Sequence, residues 1–275
     1  MQSLWYHPTQ LGREDLAKVI AIANQKGGVG KTTTAVNLGA SMAIAEHTVL
    51  LIDLDPQANA TSSAGLQENR PKFSTYDVLI GRRKMSEVIL KTTVNRLDLV
   101  PSDQNLAGAE IELTSLPNRE LILKEALPDV MGAYEIILLD CPPALGVLTV
   151  NALAAADALL IPVQCEYFAM EGLGRLMGTV DLVRQSLNPR LEIEGVVLTM
   201  YDGRNNLNRQ VADEIRRYLP GKVFQTVIPR NITLAEAPSH GTPVILYDVA
   251  STGAQAYLSL TKEVLELSHA EESTR

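Results

Sequence analysis

The residues of this sequence best suited to chemistry form a glycine-rich run, KGGVGKTTT, from Lys26 to Thr34. The run follows the apolar segment VIAIA and precedes a helical pattern. A glycine-rich turn between a strand and a helix points backbone N–H groups at phosphate oxygens, and the helix dipole favours the anion. Lys31 would then reach the β- and γ-phosphates, and the Thr32 hydroxyl would ligate Mg²⁺. The run predicts a phosphate-binding loop, against the alternative of a tight turn that binds no ligand.

This loop departs at one position from the usual pattern G-x-x-x-x-G-K-[ST]. Gln25 stands where the first glycine is expected, and a second lysine, Lys26, opens the loop instead. The predicted nucleotide-binding residues of the run are Lys26, Gly27, Gly28, Val29, Gly30, Lys31, Thr32 and Thr33.

Three carboxylates follow apolar strand patterns. Asp53 and Asp55 end the segment VLLIDLD, and Asp140 ends the segment IILLD. The carboxyl ends of parallel strands are where ligands bind in doubly wound sheets. Four apolar residues followed by Asp is the pattern in which the carboxylate holds Mg²⁺, often through a water. A single acid at such a place could equally cap a helix or form a turn, but three acids beside the loop favour a metal–nucleotide site.

The elements that would position these residues are read from the apolar pattern. Helix-length segments lie between several of the apolar runs, which indicates a doubly wound α/β fold with a mostly parallel sheet and helices on both faces. Seven runs have the length of buried strands: Val19 to Ala23, Val49 to Ile52, Leu97 to Val100, Ile136 to Leu139, Ala158 to Val163, Gly195 to Met200 and Val223 to Ile228. The helical segments are Thr32 to Ala45, Arg119 to Val130, Leu173 to Leu187 and Leu207 to Tyr218.

Composition limits the class of protein. The chain has 275 residues, 46% of them hydrophobic and only 4% aromatic, and a net charge of −8. This excludes a disordered or fibrous chain and argues against binding nucleic acid through the whole surface. The sequence contains neither a secretory signal pattern nor an apolar span of about 20 residues. We expect a cytoplasmic protein with one domain over 19–275 and an appended arm over 1–18.

The sequence resembles the ParA/Soj group of chromosome- and plasmid-partitioning ATPases, whose deviant phosphate loop also begins with lysine. The resemblance extends from about Val19 to about Leu267. It is carried by the segments NQKGGVGKTTTAVNLG, IDLDPQANAT, LAGAEIEL, LLDCPPALGVLTVNAL, PVQCEYFAMEGL, LTMYDGRNNL and IPRNITLAEAPSHG.

The resemblance implies ATP as the nucleotide, Mg²⁺ as the metal, and a homodimer that forms on ATP binding with the nucleotides between its subunits. Lys26 would reach across the interface to the partner's phosphates, and Asp55 would position or activate the attacking water. Asp53 and Asp140 would support the Mg²⁺ site. Pro229 and Asn231 look like the adenine-side contacts of the group.

The resemblance also implies sequence-nonspecific binding to double-stranded DNA by the ATP-bound dimer, association with the nucleoid, and hydrolysis stimulated by a ParB-type centromere-binding protein. Residues 200–232 carry six basic residues against three acidic ones, a local surplus in an acidic chain. The expected DNA contacts are Arg204, Arg217 and Arg230. The alternative is a solvated helix face on which Arg217 pairs with acidic neighbours. Thr233 stands where related proteins often carry a DNA-contacting arginine.

Three other functions fit parts of the pattern. A MinD-like positioning ATPase would bind membrane through a basic C-terminal helix, whereas this C-terminus is acidic, so we expect no membrane partner. An iron–sulfur reductase would hold a cluster between subunits through two cysteines. Cys141 and Cys165 are present, but Cys141 adjoins Asp140 and is expected to be a small buried thiol. A binding protein without turnover is the third alternative.

Overall fold

The structure, a computed structural model, describes residues 17–66 and 71–272, with side chains described as far as residue 267. In this part of the chain the strands are β1 (Lys18–Ile22), β2 (Val49–Asp53), β3 (Leu90–Lys91), β4 (Leu97–Val100), β5 (Ile136–Asp140), β6 (Ala158–Gln164), β7 (Glu192–Tyr201) and β8 (Val223–Pro229). They form one sheet in the order β3-β4-β2-β5-β1-β6-β7-β8. Neighbouring strands are parallel except for β3 and β4, which are antiparallel.

The α-helices of the described residues connect and flank these strands. They are α1 (Lys31–Ile44), α2 (Asn59–Ser63), α3 (Thr75–Leu79), α4 (Leu106–Leu113), α5 (Ile122–Ala126), α6 (Val147–Ala155), α7 (Ala169–Ser186), α8 (Asn206–Tyr218), α9 (Ile232–Glu236), α10 (Val244–Tyr247) and α11 (Thr252–Glu272).

Helices cover both faces of the sheet, and β2 shows why its strands are apolar throughout. Leu50 and Ile52 pack into the core that contains α4, α6, α7 and α8. Val49 and Leu51 point the other way, into the core that contains α1 and α11. A strand buried on both faces needs a continuous apolar run rather than an alternating one. The predicted doubly wound α/β fold is confirmed.

The strands follow the predictions closely, whereas one helix does not. All seven predicted strands are present, and the two-residue edge strand β3 carries too little pattern to be predicted. The predicted helix Arg119 to Val130 is reduced to α5 and a single 3₁₀ turn at Leu127–Asp129. Pro128 lies at the start of that turn, and proline lacks the N–H that would continue the α-helix.

The predicted arm lies almost wholly outside the described residues, since these begin at residue 17. The division of the chain into an arm and one domain therefore stays a prediction. Among the described residues, no helix is long and apolar enough to cross a membrane.

The outer strand β8 is held by a carboxylate from the last helix. Its pairing with β7 is irregular, because Val196 pairs with Val223 and the next pair joins Leu198 to Val227. In the interrupted stretch, Glu263 of α11 accepts hydrogen bonds from the backbone N–H groups of residues 225 and 226, at 2.8 and 2.7 Å. These donors are thus paired although the ladder is broken there.

Candidate nucleotide site

The glycine-rich loop lies where the chain reverses its direction of travel across the sheet. After β1 the chain passes through α1 to β2 on one side, and after β5 it passes through α6 to β6 on the other side. In open parallel sheets, the crevice at such a switch point receives the ligand. The loop, Asp53 and Asp140 all lie at the carboxyl ends of these central strands.

The loop backbone has conformations that require glycine. Gly28 and Gly30 have φ of +73° and +84°, and Gly30 is the residue before the first turn of α1. A Cβ added at Gly27 or Gly28 would meet nothing within 4 Å, so the loop is open on the side where a phosphate would approach. From β7, Thr199 Oγ1 donates a 2.8 Å hydrogen bond to the carbonyl of Val29 and fixes the loop on the sheet.

Lys31 is buried and points back along the loop. Its Nζ donates to the carbonyl of Lys26 at 3.3 Å, so the side chain closes the turn from inside. Burial lowers the pKa of Lys31, and the negative charges of Asp140 and Asp55 partly offset that lowering. A buried ammonium beside open backbone donors is a strong site for a polyanion.

Lys26, the second lysine, is held by its own chain. Its Nζ donates to Glu166 Oε2 at 2.5 Å. Its backbone N–H donates to the Oδ1 atom of Asn24 at 3.0 Å, while Asn24 Nδ2 donates to the carbonyl of Pro162 at 2.7 Å. The end of β6 therefore sets the position of Lys26 through two independent contacts.

Asp53 is fully buried and its oxygens are engaged by protein groups. Thr61 donates to Oδ2 from its backbone N–H and its hydroxyl, at 2.9 and 2.7 Å. The N–H of Asp55 donates to Oδ1 at 3.1 Å. Burial raises the pKa of Asp53 to about 6 in spite of these hydrogen bonds, and Asp55 contributes to the rise. The carboxylate is thus turned toward α2.

Asp140 has the opposite character. It pairs in register with Asp53 across β2 and β5 and is fully buried. Within the described residues, neither of its carboxylate oxygens has a hydrogen-bond partner. Burial and the neighbouring Asp53 raise the pKa of Asp140 well above its usual range; Thr32 and Lys31 act in the opposite direction, although the Thr32 hydroxyl stops short of a hydrogen bond.

An unpartnered buried carboxylate beside Thr32 fits a magnesium ion held mainly through its waters. The described residues contain no group of three or more His, Cys, Asp or Glu side chains arranged to hold a metal by themselves. Mg²⁺ commonly takes one or two protein oxygens and completes its shell with water and phosphate. Of the predicted metal residues, Thr32 and Asp140 therefore have free ligand atoms, whereas Asp53 is satisfied by its neighbours.

Asp55 lies at the same edge, in the turn after β2. It is nearly buried, and its Oδ1 accepts the N–H of Gln57 at 3.0 Å. Ser102 donates to the Asp55 carbonyl at 2.7 Å and fixes the backbone of the turn. The carboxylate of Asp55 is therefore held by local contacts beside the loop and the other two acids.

A cavity of about 390 Å³ opens beside the last turn of the loop. Gly30 and Thr33 line it on the loop side, and Pro229 and Asn231 line it after β8. Asn231 also stabilises the first turn of α9, since its Oδ1 accepts the N–H of Leu234 at 3.1 Å. The structure thus brings the two predicted adenine-side residues to the predicted phosphate loop.

The three predicted DNA-binding arginines do not form one cluster. Arg204 follows β7 and Arg230 follows β8, so both lie at the carboxyl edge of the sheet, beside the loop. Arg217 lies in the last turn of α8, which returns the chain to the start of β8; with 13 residues, α8 places it about 20 Å from Arg204.

The contacts of these arginines are local. Arg204 is 92% exposed and donates to both carboxylate oxygens of Asp202, from Nε at 2.9 Å and from Nη2 at 2.8 Å. The expected pairing of Arg217 with the Asp213 carboxylate is made instead by Arg216, at 3.3 Å. Arg217 donates to the backbone carbonyl of Asp213. Thr233, where an arginine was expected, lies in α9.

Cys141 and Cys165 are both buried and free. Burial raises the pKa of both thiols, that of Cys165 to about 11. The prediction of a small buried thiol at Cys141 is confirmed, and neither residue has the low pKa of a nucleophile.

Several residues that shape the site were absent from the predictions. Asn24 and Glu166 position Lys26, Thr61 engages Asp53, and Thr199 holds the loop. Asn24 stands directly before the loop, which is a usable signal. The other partners are distant in sequence, and no spacing pattern marks them.

The sheet order, the glycine-rich loop at the switch point and the acids beside it define a P-loop NTPase. Residues 17–193 match the family model described as an AAA domain. The chain is 55% identical over 249 residues to sporulation initiation inhibitor protein Soj of Bacillus subtilis, covering 90% of this chain and 98% of Soj. It is 48% identical to chromosome partitioning protein ParA of Myxococcus xanthus, covering 96% and 93% of the two chains. This chain belongs to the Soj/ParA family of chromosome-partitioning proteins.

Solved structures agree on the fold. The structure of cobyrinic acid a,c-diamide synthase from Mycobacterium smegmatis with bound ADP and magnesium superimposes with a TM-score of 0.81 at 35% identity, covering 94% of this chain and 97% of that one. The cell division ATPase MinD of Pyrococcus furiosus superimposes with a TM-score of 0.76 at 25% identity, covering 92% and 100%.

Proposed function

We propose that this protein is a Mg²⁺-dependent ATPase that dimerises on ATP, binds DNA without sequence preference as the dimer, and leaves DNA when a ParB-type partner stimulates hydrolysis. The observation that carries the proposal is the open glycine-rich loop beside the buried, unpartnered Asp140. Membership of the Soj/ParA family supports its biological part. Association with the nucleoid in the cytoplasm follows from the DNA contact.

Phosphate binding is the task of the loop and Lys31. The backbone donors at Gly27 and Gly28 face open space, and the Lys31 ammonium already lies against the loop carbonyls. Mg²⁺, when bound near Thr32 and Asp140, supplies charge neutralisation for the phosphates. Asp53 supports this arrangement from behind by fixing the turn that carries Asp55.

Hydrolysis needs a positioned water more than covalent chemistry, since phosphoryl transfer is accelerated mainly by positioning and by neutralising charge. Asp55 is assigned to orient or activate this water, because its carboxylate lies nearly buried beside the loop on a turn fixed by Ser102. The cavity lined by Pro229 and Asn231 is assigned to the adenine.

Dimerisation on ATP is assigned to Lys26. Its ammonium is 32% exposed and lies at the mouth of the loop, so it can leave Glu166 for the phosphates of a second subunit. Tyr167 and Phe168, which directly follow Glu166, are 78% and 63% exposed and supply apolar surface for such a contact.

The DNA contact is assigned to Arg204 and Arg230, which share the carboxyl edge of the sheet with the nucleotide site. Arg217 is retained as a more distant contact. An acidic chain that binds DNA through few arginines should lose affinity steeply with salt, because each phosphate contact releases counterions.

The decisive experiment measures DNA binding by the Asp55→Ala protein. We expect this variant to bind ATP and dimerise but not to hydrolyse. Fluorescence anisotropy of an unrelated DNA duplex, with ATP, with ADP and without nucleotide, should show binding only with ATP and a steep loss with salt. Lys31→Ala is the matched control and should not bind nucleotide. Turnover that is unchanged in Asp55→Ala would remove Asp55 from the reaction.

Charge reversal of the arginines locates the DNA surface. Arg204→Glu should weaken DNA binding while ATP hydrolysis without DNA is retained. Arg217→Glu changes the same charge at the far end of α8 and should have a smaller effect. Equal losses in the two variants would mean that the surface extends along the whole of α8.

A MinD-like positioning ATPase is the second candidate, because the MinD fold superimposes over nearly the whole chain. Liposome binding by the ATP-bound Asp55→Ala protein, with no binding to DNA, would favour that candidate.

A further inference from the structure

A chain of contacts joins the Lys26 end of the nucleotide site to the loop that carries Arg204. Glu166 binds the Lys26 ammonium at 2.5 Å. The residue before it, Cys165, accepts a 2.8 Å hydrogen bond on its backbone carbonyl from Nδ2 of Asn208. Asn208 lies in the first turn of α8, so the end of β6 is tied directly to that helix.

The same side chain holds the loop of residues 202–205. The backbone N–H of Asp202 donates to Oδ1 of Asn208 at 3.0 Å. Asp202 in turn binds Arg204 through three hydrogen bonds, from the backbone N–H, Nε and Nη2 of the arginine, at 3.0, 2.9 and 2.8 Å. The direction of the Arg204 guanidinium therefore depends on where Asp202 is held.

Asn208 is chemically suited to this position because a carboxamide carries a donor and an acceptor on one rigid group. Its donor reaches the nucleotide side and its acceptor reaches the arginine side. A displacement of the Cys165–Glu166 segment must either break one of these bonds or move Asp202 with it.

We propose that Asn208 is a positioning residue that couples the state of Lys26 to the presentation of Arg204. The DNA side of this proposal rests on the proposed function. When Lys26 leaves Glu166 for nucleotide phosphates, the segment that follows β6 loses its ionic restraint. Asn208 passes that change to Asp202, which reorients Arg204 toward phosphate. The coupling uses a packed hydrogen-bonded connection with two arrangements of one ion pair.

The first test needs no DNA. Hydrogen exchange of the backbone amides of residues 201–206 is measured in the full-length Asp55→Ala protein with Mg-ATP and with Mg-ADP. We expect exchange in this loop to differ between the two nucleotides, and the difference to disappear in Asn208→Ala. Asn206→Ala is the matched control, since Asn206 lies in the same turn and contacts Arg209 of its own helix; the difference should remain there.

Two outcomes would overturn the proposal. One is an exchange difference that persists in full in Asn208→Ala. The other is the absence of any nucleotide-dependent difference in the loop of the parent protein. Asn208→Asp sharpens the test because it keeps the acceptor for Asp202 but loses the donor to Cys165, and it should abolish the difference as Asn208→Ala does.

The second test measures DNA affinity in the ATP and ADP states. Asn208→Ala should lower the ratio of the two affinities about tenfold, within the usual range of coupling between sites, while ATP binding and dimerisation are retained. An equal loss in both states would indicate a merely structural role and would contradict the proposal. If the parent protein binds no DNA in any state, the proposed function fails, and the exchange experiment still decides whether Asn208 couples the two segments.

Discussion

The buried acid Asp53 leads to a quantitative prediction about stability and pH. Its pKa is raised from 3.8 to about 6, and the side chain is fully buried. The folded state therefore holds this proton more tightly than the unfolded chain. The stabilisation is complete below pH 3.8 and is lost as the pH rises through about 6. A shift of this size corresponds to about 3 kcal/mol, of which about 2 kcal/mol is lost between pH 4.5 and 7.5.

The assay is urea unfolding of the nucleotide-free protein at several pH values in that interval, with Asp53→Asn compared with the parent. The variant cannot titrate at this position, so its free energy of unfolding should fall about 2 kcal/mol less over the interval. Asp181→Asn, which changes an exposed acid on α7, should follow the parent. A difference between Asp53→Asn and the parent that stays constant with pH would refute the reasoning.

Two further predictions concern single contacts. Asp202→Asn removes the charge that holds Arg204, so DNA affinity in the ATP state should rise severalfold in an anisotropy titration; a fall would show that Asp202 orients Arg204 productively. Gly195→Ala would place its Cβ 2.6 Å from the Phe224 ring and should lower the free energy of unfolding by about 1–3 kcal/mol in urea, whereas Gly174→Ala on α7 meets nothing within 4 Å and should be neutral or slightly stabilising.

The sequence predicted the sheet and the loop because both depend on short-range patterns. Buried strands such as β2 and β5 are continuous apolar runs, and their acids are read directly from the strand ends. The glycines of the loop are required by its backbone, since Gly28 and Gly30 have positive φ.

The state of each site residue could not be predicted in the same way, because it depends on partners brought in by the fold. Lys26 meets Glu166 across 140 positions of the chain. Asp53 and Asp140 follow nearly identical sequence patterns, yet Thr61 engages one and leaves the other without a partner. Arg204 and Arg217 belong to the same basic stretch, but α8 carries them to opposite edges of the sheet.

The contact between Glu263 and β8 limits how this protein can assemble. An outer strand with free backbone donors is a template onto which a strand of another molecule can add. Here that strand is bulged, and two of its N–H groups are occupied from within the same molecule. The opposite border of the sheet is the two-residue β3, which is too short to recruit a strand. Growth of the sheet from molecule to molecule is therefore disfavoured at both borders. Self-association is left to surfaces that a nucleotide can switch, which keeps it reversible.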